Sequence, residues 1–261
     1  MMRRHLGFDC EGARLAATLD MPNASRPAGL LVVSGGNEIR SGAFAGMAQL
    51  TARLAREHAV PCLRFDRRGV GESEGDNHGF RSSAPDIAAA LAAFRQAAPH
   101  VRRVIGFGIC DAASALALFG AEAGLDGLVL ANPWTLDDAG DDATFPAGAL
   151  WRRYLGKLAR PGEWRRLLSG GVNLAGMARD MSGAARQGGG SSLTREMEQS
   201  LARFAGPVTI LLAERDRTAQ LFEAAWPRGD ARVLRHASAG HAFDEETARD
   251  WLVARLVEAL A

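Results

Sequence analysis

The stretch Val104-Ile105-Gly106-Phe107-Gly108-Ile109-Cys110-Asp111-Ala112-Ala113-Ser114-Ala115 reads as a strand, a tight turn and a helix, with Cys110 at the tip. A turn that presents one side chain in this way is strained and leaves no room for bulk two residues to either side. Gly108 and Ala112 stand at those two positions, in a small-x-nucleophile-x-small frame. The helix that opens at Asp111 has free backbone N–H groups and a positive dipole end, both of which favour a thiolate over a thiol. Cys110 is therefore read as a nucleophile. Cys62, within an apolar run, and Cys10, in what reads as a polar N-terminal turn, lack the frame and are read as ordinary buried cysteines.

Apolar runs bounded by turn residues recur at Leu30 to Ser34, Cys62 to Phe65, Val104 to Gly108, Leu128 to Ala131, Val208 to Ala213 and Val233 to Leu234. Stretches at helical spacing lie between them: Phe44 to Glu57, Asp86 to Ala98 and Ala112 to Ala123. Strands buried along their whole length that alternate with helices predict an α/β fold, a mostly parallel central sheet covered on both faces. At the end of the chain Trp251, Leu252, Leu256 and Leu260 share one helical stripe, which predicts a last helix packed back on the sheet. The alternation stops between Pro133 and Ala205, where Trp-containing helical patterns replace strands. The expected organisation is a core of residues 1–133 and 206–261 with a helical lid over 134–205. Acidic Asp137 to Asp142 and the glycine run Gly188 to Gly190 would be its loops.

The chain has 261 residues, 47% of them apolar, which suits one catalytic domain with a large core. Its 31 basic and 30 acidic residues nearly cancel, and no basic run interleaved with aromatics appears, so nucleic acid is not an expected partner. Three cysteines without C-x-x-C spacing fit neither a disulfide scaffold nor a metal site. With no apolar leader and no long apolar run, the reading is a cytoplasmic protein with no membrane span.

Cysteine chemistry needs a base and a group to orient it. His241, in Ser238-Ala239-Gly240-His241-Ala242-Phe243, lies after the last strand and before the last helix, and is the expected base, with His236 as the fallback. Asp216, in the loop after Val208 to Ala213, is the expected third member, with Glu214 as the displaced alternative. The order Cys110, Asp216, His241 is that of α/β hydrolases. An acyl-transfer transition state also needs two fixed N–H donors for its oxyanion, each worth about 3 kcal/mol. One is the N–H of Asp111. The other is expected from Ser34-Gly35-Gly36-Asn37, at Gly36 or next at Asn37. Asp66 and Arg68, in Asp66-Arg67-Arg68-Gly69-Val70-Gly71, are expected to pair and hold their loop beside the site. Trp134, Trp151, Tyr154 and Trp164 are candidate contacts for a hydrophobic acyl group, and the neighbouring basic residues Arg152, Arg153 and Lys157 would suit an anionic or carrier-borne one.

These residues resemble the exosortase A system-associated hydrolase 1 family, a branch of the α/β hydrolases. The resemblance runs through most of the chain. It is carried by Phe65-Asp66 with Arg68-Gly69 and Gly71, the elbow Gly108 to Ala115, Asn132-Pro133-Trp134, Glu163-Trp164-Arg165 through Leu168-Ser169-Gly170 to Val172-Asn173, Arg215-Asp216 with Thr218-Ala219, and His241. The Cys-Asp-Ala-Ala-Ser elbow is its most specific part. The resemblance implies the α/β-hydrolase fold and a cysteine triad similar to that of dienelactone hydrolases, and leaves the substrate open. The chain departs from it at Asn37 and Phe44, where that family carries Pro and His.

The expected function is hydrolysis of an ester, lactone or thioester through an acyl-Cys110 intermediate, with no metal or cofactor. Two alternatives use the same residues: acyl transfer to a second substrate, and a silent hydrolase fold that only binds its ligand.

Overall fold

The computed structural model describes residues 1–136 and 191–261. The predicted lid residues Trp151, Tyr154 and Trp164 lie outside them. Residues 1–135 and 193–261 form one compact unit. Its strands are β1 (Met2–Cys10), β2 (Ala13–Met21), β3 (Ala28–Val33), β4 (Cys62–Phe65), β5 (Arg103–Ile109), β6 (Gly127–Ala131), β7 (Val208–Ala213) and β8 (Val233–His236). They form one sheet in the order β1-β2-β4-β3-β5-β6-β7-β8, parallel from β4 to β8 and antiparallel at β1 and β2.

The side-chain alternation of each strand divides the core in two. Leu31, Val33, Leu63, Val104, Leu128, Leu130, Ile210 and Leu212 face α2 (Ala84–Ala97), α3 (Asp111–Ala123), α4 (Ser192–Arg203) and α5 (Arg217–Ala225). Leu30, Val32, Ile105, Phe107, Val129 and Leu211 face α1 (Gly46–Glu57) and α6 (Glu246–Ala259). This is the covered, mostly parallel sheet that the apolar runs predict. Leu252, Leu256 and Leu260 are buried on the α6 side as their spacing requires. Helix α4 falls within the 134–205 range assigned to the lid, yet Leu193, Met197 and Leu201 are buried in the α2–α3 core cluster.

The N-terminal residues correct the sequence reading. They are a β-hairpin, with Cys10 ending its first strand and not in a polar turn: β1 and β2 pair from Met2↔Met21 to Cys10↔Ala13 around Glu11-Gly12, both with positive φ (48° and 84°). Leu15, Ala17 and Leu19 point into the core, while Arg3 and Arg4 keep the edge strand charged, exposed together with His5. Cys10 ends β1 and is buried against Asp86, with Sγ 3.5 Å from its Oδ1.

A buried ionic cluster ties this hairpin to the rest. The fully buried Asp20 of β2 accepts from Arg3 Nε at 2.6 Å and Thr51 Oγ1 at 2.7 Å, and lies 3.5 Å from Arg64 Nη2. Burial lowers the pKa of Arg64, and the Asp20 charge opposes that shift. No helix among the described residues is long and apolar enough to cross a membrane.

Candidate active site

At the C-terminal end of β5, Cys110 sits between strand and helix with φ 63° and ψ −126°, a conformation that costs a non-glycine residue free energy. The surroundings hold it there. Its N–H donates to Ala131 O at 3.0 Å, and its carbonyl accepts from Trp134 N–H and Ser114 N–H, both at 3.2 Å. A Cβ on Gly108 would lie 2.8 Å from the Ala112 carbonyl carbon, so the small residue at that position is a steric requirement of the turn. Trp134 is brought beside the elbow by its own backbone. Its carbonyl accepts from Ser114 Oγ at 2.7 Å, and its half-buried ring packs on the α3 side of the core.

His241 comes from the loop between β8 and α6. Its Nδ1 lies 3.0 Å from Asp216 Oδ2, and the Cys110 side chain is close enough to raise its pKa. Asp216 caps α5, accepting the Ala219 N–H at 3.1 Å through the same oxygen. Burial would raise the Asp216 pKa, but the His241 hydrogen bond and charge and the Ala219 and Thr218 N–H groups outweigh it and hold the carboxyl below its usual range. Burial pulls the His241 pKa down. The hydrogen bond to Asp216 and the neighbouring Cys110, with the charges of both, pull it up further, to about 10. The three residues of the predicted order thus meet at one place, with Asp216 paired directly to His241 and Cys110 acting on the same ring.

The alternatives lie elsewhere. His236 packs edge-on against Trp251 at 5.2 Å, with its Nδ1 buried and unpartnered. The side chain of Glu214 is exposed, and its backbone carbonyl accepts from Gln220. Of the other cysteines, burial and the nearby Asp86 charge push the Cys10 thiol up to about 11, and burial raises Cys62 well above the usual range. Both are held as thiols.

Asn132 has no assigned role in the sequence reading beyond its place in the Asn132-Pro133-Trp134 motif. It is fully buried, with φ 45°, at the end of β6. Its Nδ2 donates to His241 O at 3.0 Å and its Oδ1 accepts from Ala213 N–H at 2.9 Å. It thereby fixes the histidine loop to the end of β7. A buried polar residue just past a wholly apolar strand was the available signal.

The Asp66–Arg68 pair does not form. Asp66 is buried and takes Arg40, through its backbone N–H at 2.5 Å and its guanidinium, while Arg68 pairs with Asp86 at 2.6 Å and Glu11 at 2.5 Å. The arginine between them is the one that reaches the site. Arg67, 3% exposed, donates to Gly36 O at 2.5 Å and Ser83 Oγ at 2.9 Å.

Of the expected oxyanion donors, Asp111 N–H opens α3, and Gly36, with φ 51°, lies across from it. The Gly36 N–H is engaged by the Asp111 carboxylate, at 2.9 and 2.8 Å to its two oxygens. Asn37 is exposed and its side chain accepts from Asn77 at 2.7 Å.

The model of the alpha/beta hydrolase family matches residues 30–255. The chain belongs to that family. Its fold is shared by an alpha-beta serine hydrolase homologue from Coxiella burnetii (TM-score 0.59, 15% identity, 100% of this chain and 99% of that one). The Pyrococcus furiosus esterase Pf2001 is similar (TM-score 0.61, 15% identity, 99% and 90% covered), as is the alpha/beta hydrolase GrgF from Penicillium sp. sh18 (TM-score 0.61, 19% identity, 100% and 98% covered). The comparison with curated proteins finds no match.

Proposed function

We propose that this hydrolase cleaves a carboxylic ester, lactone or thioester through an acyl-cysteine, with Cys110 as nucleophile, His241 as general base and acid, and Asp216 as the group that orients and charges His241. The observation that carries the reading is the Asp216–His241 pair, 3.0 Å apart, set beside Cys110 at a strained elbow. The raised pKa of His241 supports a resting imidazolium beside a sulfur nucleophile.

In the first half-reaction Sγ forms a bond to the carbonyl carbon, and the negative charge moves to the carbonyl oxygen, against the Asp111 N–H. Collapse breaks the bond to the alcohol or thiol, which takes its proton from His241. In the second, His241 is neutral and removes a proton from water. The hydroxide attacks the thioester, and Sγ departs as the acid is released. Small-molecule acyl substrates suit this site. That the chain falls in the exosortase A system-associated branch and works in the cytoplasm belongs to the same proposal, and rests on the elbow and on the motifs shared with that branch.

Intact mass spectrometry after brief mixing with a panel of short and medium acyl esters and thioesters tests the proposal. Wild type is expected to carry one acyl adduct that decays as acid is released, and Cys110→Ala none. An adduct that persists in water and discharges only to an added alcohol or amine makes the chain a transferase. Product formation by Cys110→Ala at the wild-type rate overturns the role of Cys110.

A further inference from the structure

The Gly36 N–H, one of the two donors expected to receive an oxyanion, is held by the chain's own Asp111 carboxylate. Three features build this contact. The N–H is shared by both carboxylate oxygens at 2.9 and 2.8 Å. Gly35 admits the side chain because it has no Cβ, which would run into Asp111 Oδ1. Buried Arg67 holds the Gly36 carbonyl at 2.5 Å and places its Nη2 3.7 Å from Asp111 Oδ2. A carboxylate on a backbone N–H carries the same charge, in the same kind of bond, as the oxyanion of a tetrahedral intermediate. The two therefore compete for one donor.

We propose that Asp111 is a specificity-determining residue: its carboxylate occupies the oxyanion site at rest, yields to neutral acyl groups, and rejects acyl groups that carry a negative charge on the carbon next to the scissile carbonyl. The proposal rests on Cys110 being the nucleophile. A neutral acyl group asks only that the carboxylate move, and the Arg67 guanidinium is the partner toward which it turns. An anionic acyl group would bring a second negative charge to the same place with the donor already taken, and like charges at contact in a partly dry site repel strongly.

Two alkylating reagents test this without a known substrate. Iodoacetamide and iodoacetate both form a carbon–sulfur bond to the Cys110 thiolate and expel iodide, but only iodoacetate bears a carboxylate on the reacting carbon. The ratio of their rates at Cys110, followed by peptide mass spectrometry, cancels the fraction of thiolate. Asp111→Asn, which keeps the shape, and Asp111→Ala, which also frees the Gly36 N–H, are each expected to raise the iodoacetate-to-iodoacetamide ratio about tenfold or more. Glu38→Gln removes a charge from the same loop, where that side chain accepts only the Ala43 N–H among the described contacts. It is expected to leave the ratio within about twofold, because an exposed charge that does not hold the Gly36 N–H is screened by solvent.

An unchanged ratio in the Asp111 variants, with Cys110 still alkylated, overturns the proposal. So does an equal rise in Glu38→Gln, which would make the effect one of general charge. Failure of both reagents to modify Cys110 in the wild type removes the nucleophile itself, and that result is distinct from the other two. If Asp111→Ala does not fold, the isosteric Asp111→Asn decides.

Discussion

The carboxamide of Asn132 donates to the backbone carbonyl of His241 at 3.0 Å, across 109 residues of chain. Its other end holds the Ala213 N–H, so one buried side chain joins the last residue of β7 to the loop that carries the base. On the far side, buried Phe243 lies parallel to Trp251 at 6.0 Å and anchors the same loop in the α6 core. His241 itself is half exposed, and these two anchors position it without enclosing its ring.

Asn132→Gly keeps the left-handed backbone and removes both side-chain bonds. It is expected to cost about 2 kcal/mol of stability, from two lost hydrogen bonds and the polar groups left unpaired. Turnover is expected to fall by at least about tenfold, because the imidazole loses its fixed position. Chemical denaturation together with kcat and KM checks this. Asn132→Gly with wild-type kcat would show that the Phe243 anchor and the Asp216 pair suffice to position His241.

The His241–Asp216 pair sets a pH dependence of stability. His241 has a folded pKa of about 10, above its unfolded value, so its contribution is complete below about 6.5 and is lost as pH rises toward 10. The Asp216 pKa is lowered on folding, so its contribution is present above its unfolded value near 3.9 and is lost only under acid. The gap in melting temperature between wild type and Asp216→Asn is therefore expected to be widest between about pH 4 and 6.5 and to close steadily toward pH 10. Melting scans at half-unit steps measure it. A gap that widens above pH 7 would contradict the pairing.

The central strands β3 and β6 are legible because a parallel strand buried on both faces must be apolar along its length, as Leu30 to Val33 and Leu128 to Ala131 are. The elbow is legible because its sterics restrict residue type at fixed spacing. The chain order of Cys110, Asp216 and His241 follows from where β5, β7 and β8 end. The β1–β2 hairpin was lost for the opposite reason: a charged edge strand beside a half-polar one dilutes the alternation of Phe8, Leu15, Ala17 and Leu19. Ion-pair partners were lost because charge carries no address. Asp66 chose Arg40, 26 residues away, over Arg68 two positions on. The Asp111 carboxylate on Gly36 depends on the approach of the β3 loop to α3, which no local pattern encodes.

Asp20 is the shared counter-charge of two arginines, Arg3 at 2.6 Å and the buried Arg64 at 3.5 Å. Asp20→Ala is expected to destabilise the chain by about 3–5 kcal/mol, since it strands Arg64 in the interior without a counter-charge. The specific activity of the folded fraction is expected to persist, because the cluster makes no contact with Cys110, Asp216 or His241 among the described residues. Urea unfolding with an activity measurement at each point separates the two effects. A loss of activity at full folding would tie the hairpin to catalysis.

Gly108→Ala tests whether the elbow's geometry, more than its chemistry, limits what may precede the nucleophile. The added methyl would lie 2.8 Å from the Ala112 carbonyl carbon, 3.0 Å from its Cβ and 3.0 Å from its carbonyl oxygen, so helix α3 must shift away from β5. Overpacking of this kind costs about 1–3 kcal/mol. The shift also carries Cys110 and the Asp111 N–H away from His241, so kcat is expected to fall by about a hundredfold, as for a misplacement of 1 Å. Gly106→Ala is the control. Its methyl meets Leu125 Cδ1 at 2.7 Å and Leu116 Cδ2 at 2.9 Å, flexible side-chain ends that can give way at lower cost. Wild-type kcat in Gly108→Ala would mean that the turn relaxes around the methyl, and that the small residue is needed for folding alone.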